Sequence, residues 1–274
     1  ANTCEFIEYD KLIIATGASP FIPEIKNSNL HNIFKVRTLE DGINIREAMD
    51  KFQNITIVGG GYIAIELIES FVKNKKNVTI IENSTFIMPV LDEDISSIVQ
   101  TFVLENSDGL VKIINDDRVT EFVGEENVRG VLTAKGCGFE TDMVIIASGV
   151  KPNIDIATEA GIEIGQTGAI KVNSRMQTNI PDIYACGDCA EKINMISNTP
   201  TWLPLGSTAN KEGRVAAINA CGGVEDFEGV LGSSVLRYHA LNISMTGLTE
   251  KTAQKLHYDT VSVIITKRDK AGYM

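Results

Sequence analysis

The sequence predicts an α/β fold of layered strand–helix units. Three observations carry the prediction. Short β-branched or apolar runs of strand length, at residues 11–15, 55–58, 78–81, 142–147 and 183–185, alternate with stretches whose apolar residues fall at helical spacing. A glycine-rich turn, Gly59-Gly60-Gly61, joins one such run directly to a helix-patterned segment. The 274 residues, 43% of them hydrophobic, are enough for more than one packed domain.

Each element follows in chain order. The first strand, 11–15, breaks at Thr16-Gly17-Ala18-Ser19-Pro20, where glycine and proline punctuate a turn. A connector runs to about Arg37. Thr38-x-x-Asp41 then reads as a capping box opening a helix to about Lys51. The strand at 55–58, the glycine turn, a helix from Tyr62 to about Lys75 and a second strand at 78–81 form one unit. Ile63, Leu67, Ile68 and Phe71 give that helix its apolar face, and Glu82 stands at the C-terminal end of the second strand. A further amphipathic helix is expected near 93–104. From 111 to 135, short β-like runs alternate with polar turns, which predicts an antiparallel meander. A buried strand at 142–147 ends at Ser148-Gly149. Loop-rich sequence leads to the strand at 183–185 and to Gly187-Asp188, and a helix is expected over 207–220. After Gly222-Gly223 the chain alternates strand-like and short helical pieces, one of them at 249–256.

Composition narrows the function classes. The net charge is −11, from 25 basic and 36 acidic residues. Such a chain repels nucleic acid and anionic membrane surfaces. No apolar run approaches the roughly 18 residues of a membrane-spanning helix, and no basic flank followed by an apolar stretch marks a signal peptide. The cysteines at 4, 137, 186, 189 and 221 are too few and scattered for a disulfide scaffold. The expectation is a cytoplasmic protein carrying free thiols.

The strongest local signal for function is Gly59-x-Gly61-x-x-Ala64, set between a strand and a helix. Gly59 permits the tight turn, Gly61 lets a pyrophosphate approach the backbone, and Ala64 lets helix and strand pack closely. The phosphates would meet the free N–H groups and positive dipole end of the helix. Glu82 stands about 20 residues beyond Gly61, where a carboxylate accepts hydrogen bonds from the adenosine ribose and repels a 2′-phosphate. NAD(H) is therefore expected over NADP(H).

Three motifs then recur in order: Ala15-Thr16-Gly17; the glycine turn together with Asp142-Met-Val-Ile-Ile-Ala-Ser-Gly-Val-Lys-Pro152; and Thr178-Asn-Ile-Pro-Asp-Ile-Tyr-Ala-Cys-Gly-Asp188. Together they resemble the pyridine nucleotide-disulfide oxidoreductase superfamily. Leu203-Pro-Leu-Gly-Ser-Thr-Ala-Asn-Lys-Glu-Gly-Arg214 and residues 232–256 are most similar to its CoA-disulfide reductase, NADH oxidase and NADH peroxidase branch. The resemblance implies FAD/NAD(P)-binding, three-layer ββα Rossmann-like domains. It implies an NAD domain at 37–150 inserted into an FAD domain at 1–36 and 151–225, with 226–274 opening an α+β interface domain that dimerises in the family.

Residue roles carry over by position. Asp188, with Gly187 before it, matches the aspartate that hydrogen-bonds the FAD ribityl chain. Ala15, Thr16 and Gly17 match the loop passing over FAD. Gly206 and Ser207 match the helix start facing the flavin pyrimidine, where the dipole favours negative charge; the family often carries Ala and Thr there. Gly149 matches a residue near the nicotinamide, Tyr62 and Ile63 the start of the nicotinamide-side helix, and Glu66 a carboxylate near the nicotinamide amide. The family tyrosine covers the flavin until NADH displaces it. Cys186-x-x-Cys189 has the spacing of a redox disulfide, yet Gly187-Asp188 between the two matches the FAD turn, so no redox couple is expected. No metal site is expected either, because no second Cys or His pair stands near at ligand spacing. His31, His239 and His257 are read as structural or surface residues.

The family also begins with its own Gly-x-Gly-x-x-Gly for the FAD pyrophosphate and carries a redox cysteine on the following helix. Neither occurs before Lys11, and Cys4 is not in that context. The first half of the FAD site, the redox cysteine and most of the interface domain are thus expected to lie outside this chain, which is read as truncated at both ends. Residues 271–274 resemble a segment in which a family tyrosine reaches a partner subunit. The resemblance implies an FAD-dependent enzyme, a homodimer at full length, that passes hydride from NADH to flavin and on to a disulfide, persulfide, peroxide or oxygen. Two alternatives stay open: an NADH-dependent reductase for a protein carrier such as rubredoxin or ferredoxin, and a non-catalytic NAD-binding fragment.

Overall fold

The structure is a computed structural model, and it describes residues 6–266. The chain runs β1 (Leu12–Ile14), β2 (Ala18–Pro20), β3 (Ile33–Lys35), α1 (Leu39–Lys51), β4 (Asn54–Val58), α2 (Tyr62–Lys73), β5 (Asn77–Ile81), α3 (Glu93–Glu105) and β6 (Val111–Ile114). It continues through β7 (Val119–Gly124), β8 (Val128–Thr133), β9 (Gly138–Glu140), β10 (Met143–Ile146), β11 (Val150–Pro152) and α4 (Asp155–Glu159). The last described elements are β12 (Ile183–Ala185), β13 (Lys192–Asn194), β14 (Thr199–Thr201), α5 (Gly206–Ala220), β15 (Ser234–Tyr238), β16 (Leu241–Met245) and α6 (Glu250–Lys255).

The centre is a five-stranded parallel sheet in the order β3-β10-β4-β5-β6. Its middle strands are apolar nearly throughout because both faces are covered, and β10 is buried at every position. Alternate residues supply the two faces. Ile55, Ile57, Val78, Ile80, Met143 and Ile145 pack with α1, α2 and α3, while Val58, Ile81, Val144 and Ile146 pack on Val119, Phe122, Val128 and Val131 of β7 and β8. Helices, sheet and antiparallel meander make the three layers. On α2 the buried set is Ala64, Ile65, Ile68, Phe71 and Val72, while Ile63 and Leu67 of the expected apolar face are only half-buried. Truncating a side chain as buried as Phe71 to alanine costs about 3–5 kcal/mol in such a core.

The expected capping box forms at α1. Thr38 accepts from the Asp41 N–H, and the Asp41 carboxylate accepts from the Thr38 and Arg37 N–H groups. The expected meander needs a correction at its start. Residues 111–114 are not part of it: β6 pairs parallel with β5 as the edge of the central sheet. At the sheet edge the packed layers cover β6 only in part, so Lys112 is exposed over the Phe139 ring and the segment takes on the alternation of a meander strand. The meander proper is β7-β8-β9. The central sheet also takes in β3, which pairs parallel with β10.

The flanking region is built on β1 paired parallel with β12, and α5 packs behind them. β11 pairs antiparallel with β2, and Asn153 laces the strands to the Thr16-Gly17 loop through the Thr16 and Ser19 hydroxyls and the Thr16 carbonyl. The hairpin β15-β16 docks on α2 and α3: Leu236, Tyr238 and Ile243 enter the core of the central sheet, and the Tyr238 hydroxyl meets Ser107 at 3.0 Å. Asp92 at the start of α3 accepts from the Glu250 and Lys251 N–H groups at the start of α6. This hairpin and helix occupy the part expected to open an interface domain. Residues 271–274, read for their resemblance to a partner-reaching segment, lie outside the described residues.

Candidate functional site

The glycine turn follows directly on β4. Gly59 has φ +98, and a Cβ there would sit 2.7 Å from the Ala147 carbonyl oxygen, so only glycine fits. Gly60 faces Ile87 as closely. Gly61 differs: a Cβ there would meet nothing within 4 Å. It is the N-cap of α2 and offers no side-chain hydrogen bond, so the first N–H groups of the helix face open space. Ala64 is fully buried beneath them, at the contact of helix and sheet.

Glu82 directly follows β5 and is 7% exposed. Its carboxylate accepts from the Gly60 N–H at 2.6 Å and from the Ser84 N–H at 2.8 Å. The acid therefore also braces the glycine turn, a role beyond the one its spacing suggests.

One cleft of about 1320 Å³ gathers most of the expected residues. Gly59, Gly61, Tyr62, Ile63, Glu66, Glu82 and Gly149 line it from the central sheet, and Gly206 and Ser207 line it from the start of α5. Ala64 is beneath the wall. Ala15, Thr16, Gly17, Gly187 and Asp188 are not part of that wall, but Arg37, which is, reaches Asp188 with 3.2 Å between guanidinium and carboxylate. The Tyr62 hydroxyl lies 2.7 Å from the Ser234 hydroxyl, tying the start of α2 to β15 at the same cleft. Gly149 has φ +97 and open space at its Cβ position.

Cys186 and Cys189 are buried free thiols. The Cys189 thiol donates to the Cys186 carbonyl at 3.2 Å. Burial, with Cys189 beside it, pushes the Cys186 thiol up to about 11. A thiol held protonated to that extent is a poor nucleophile near neutral pH. Among the described residues no cluster of His, Cys, Asp and Glu is arranged to hold a metal ion.

Residues 2–213 match the family model of the pyridine nucleotide-disulphide oxidoreductases. The chain belongs to that family. A member from Pyrococcus furiosus, NAD(P)H sulfur oxidoreductase (CoA-dependent), is 38% identical over 268 residues, which are 97% of this chain and 60% of that protein. An NADH oxidase from Methanocaldococcus jannaschii is 39% identical over 90% of this chain and 55% of its own length. Among solved structures, a NAD-dependent persulfide reductase from A. fulgidus superposes with a TM-score of 0.88 at 30% identity, covering 92% of this chain and 47% of that one. The chain thus spans about 60% or less of the length of these relatives.

Several residues at or near the cleft escaped the sequence reading. Arg37 and Ser234 carry no local mark, since their partners Asp188 and Tyr62 are distant in the chain. Lys192 and Glu212 form an ion pair with side chains 1% and 0% exposed, directly under the Gly187-Asp188 turn. Glu212 did leave a trace: it falls on the buried stripe of α5 with Thr208, Val215, Ala216 and Asn219.

Proposed function

We propose that this chain forms the nucleotide-binding body of an NADH-dependent flavoprotein oxidoreductase. One observation carries the reading: the starts of α2 and α5 line a single cleft, with Gly149 and Tyr62 on the same wall. Two helix N-termini facing one space suit a ligand with anionic phosphate at one end and a ring that gains negative charge at the other.

The residues fit both nucleotides. For NAD(H), the Cβ-free approach at Gly61 and the uncapped N–H groups of α2 receive the pyrophosphate, with Gly59 and Ala64 shaping the turn. Glu82 stands at the adenosine ribose, where its charge opposes a 2′-phosphate. Ile63, Glu66 and Gly149 border the nicotinamide, and Tyr62 stands where the ring enters. For FAD, Ala15, Thr16 and Gly17 cross over the cofactor, Gly187 and Asp188 hold the ribityl chain, and Gly206 and Ser207 present backbone N–H groups to the pyrimidine. Asp188 offers a largely shielded carboxylate already committed to a hydrogen-bonding role through Arg37. FAD, when bound, supplies a ring that accepts hydride. The chain's own residues orient the two rings.

Electrons leave to a small acceptor: a disulfide, persulfide, peroxide or dioxygen. The relatives named for sulfur and persulfide favour the sulfur acceptors. Residues 37–150 are the NAD domain, 1–36 and 151–225 the FAD domain, and 226–274 the start of the interface domain of a cytoplasmic homodimer. No helix among the described residues is long and apolar enough to cross a membrane.

The test is an absorbance spectrum of the purified protein with added FAD, followed by anaerobic NADH. A bound-flavin spectrum that bleaches on NADH addition would support the reading. A colourless protein whose fluorescence still reports NADH binding would reduce the reading to a nucleotide-binding fragment.

A further inference from the structure

The Gly187 peptide is gripped on both sides by buried charge. Its N–H donates to Glu212 Oε2 at 2.7 Å, and its carbonyl accepts from Lys192 Nζ at 3.1 Å. Lys192 also donates to the Ala190 carbonyl at 3.0 Å, and Glu212 Oε1 lies 3.3 Å from Lys192 Nζ. Burial pushes the Glu212 carboxyl up, while the Lys192 charge and the Gly187 N–H pull it down. Gly187 has φ +80, a left-handed conformation that sets the direction in which Asp188 leaves the turn. The indole N–H of Trp202 donates to the Asp188 carbonyl at 2.8 Å and steadies the next peptide.

A buried ion pair is a costly way to fill space, since apolar side chains of similar volume often serve stability equally well. What an apolar pair cannot do is orient a peptide. Glu212 also rides α5, the helix whose first residues Gly206 and Ser207 line the cleft. One carboxylate therefore connects the Asp188 turn to α5.

We propose that Glu212, neutralised by Lys192, is a positioning residue for FAD: through the Gly187 peptide it fixes the Asp188 carboxylate relative to the start of α5. The proposal rests on the FAD reading above.

The test uses FAD titrations of the protein, monitored by flavin fluorescence, on two double variants. Glu212→Leu with Lys192→Met removes both grips on Gly187. Glu212→Gln with Lys192→Met keeps an acceptor for the Gly187 N–H. NADH binding is the folding control, because the glycine turn sits on a separate core. The leucine pair should lose about tenfold or more in FAD affinity, the worth of one charge-assisted hydrogen bond, with NADH binding intact. The glutamine pair should stay within about threefold of the wild type on the same basis. In an Asp188→Ala background the leucine pair should cost nothing further, which a merely structural role would not produce. Equal FAD affinity in all variants, or a glutamine pair that loses tenfold while binding NADH normally, overturns the proposal. If the leucine pair does not fold, Glu212→Ala with Lys192→Met takes its place against the glutamine pair and is held to the same outcomes. A wild-type protein that takes up no FAD would sink the FAD reading itself, and is told apart by its colourless spectrum before any variant is made.

Discussion

The guanidinium of Arg37 lies 3.2 Å from the carboxylate of Asp188, joining the start of α1 to the turn after β12. Arg37 and Arg118 are the basic residues lining the cleft. The pair is half open to solvent on the arginine side, so its worth to folding is about 0–1 kcal/mol. Its larger effect should fall on an anionic ligand. Arg37→Ala should leave the melting temperature nearly unchanged and weaken FAD binding about tenfold, the value of one charge-assisted contact. Titration at two salt concentrations checks it: a loss that shrinks as salt rises marks an electrostatic role, and unaltered affinity at low salt refutes it.

Gly59 and Gly61 occupy the same turn for different reasons, and substitution separates them. At Gly59 a Cβ meets the Ala147 carbonyl oxygen at 2.7 Å with φ +98. The neighbour is backbone of a fully buried strand end and cannot yield. Gly59→Ala should therefore destabilise the fold by more than about 2 kcal/mol. At Gly61 the added methyl meets nothing. Gly61→Ala should fold normally and still bind NADH about tenfold or more weakly, because the methyl takes the space of the pyrophosphate. Thermal melts and NADH fluorescence on the two variants give opposite patterns; a Gly61→Ala protein that binds NADH normally would remove the phosphate site from this turn.

What could be read ahead of the structure was local. The Thr38–Asp41 capping box, the glycine turn and the strand leading into Glu82 are each specified by residues a few positions apart, and each formed. Residues 111–114 misled because an edge strand of a parallel sheet alternates like a meander strand. The long-range contacts had no counterpart in the pattern. Nothing near Arg37 points to Asp188, and nothing near Ser234 points to Tyr62, because only the fold brings them together. Glu212 is the intermediate case: a charge on a buried helical stripe is visible, but its partner Lys192 is not.

Cys186 provides a pH test. An unfolded cysteine ionises near 9.0, and burial holds the folded thiol to about 11. Between those values the unfolded chain has released a proton that the folded chain keeps. Stability contributed by the protonated thiol is full below about pH 9 and falls as pH rises toward 11. The melting temperature should decline through that window, and Cys186→Ser should flatten the decline. Alkylation by iodoacetamide should be slow at pH 8 at Cys186 and faster at the exposed Cys137 and Cys221. Rapid labelling of Cys186 at pH 8 would contradict this and revive a redox role for the Cys186-x-x-Cys189 pair.

Glu82 is asked to do two things, and a single substitution distinguishes them. Its oxygens brace the turn through the Gly60 and Ser84 N–H groups, and its charge is proposed to repel a 2′-phosphate. Glu82→Gln removes the charge but keeps one good acceptor, since its amide NH₂ must face the other N–H donor. Stability should fall by about 1–3 kcal/mol, the cost of one orphaned buried donor. The preference for NADH over NADPH should fall about tenfold, because the repulsion is gone while the ribose hydroxyl keeps an acceptor. Paired fluorescence titrations with NADH and NADPH read the ratio, and thermal melts read the brace. A lowered melting temperature with an unchanged ratio would leave Glu82 as a brace alone and move nucleotide choice elsewhere in the cleft.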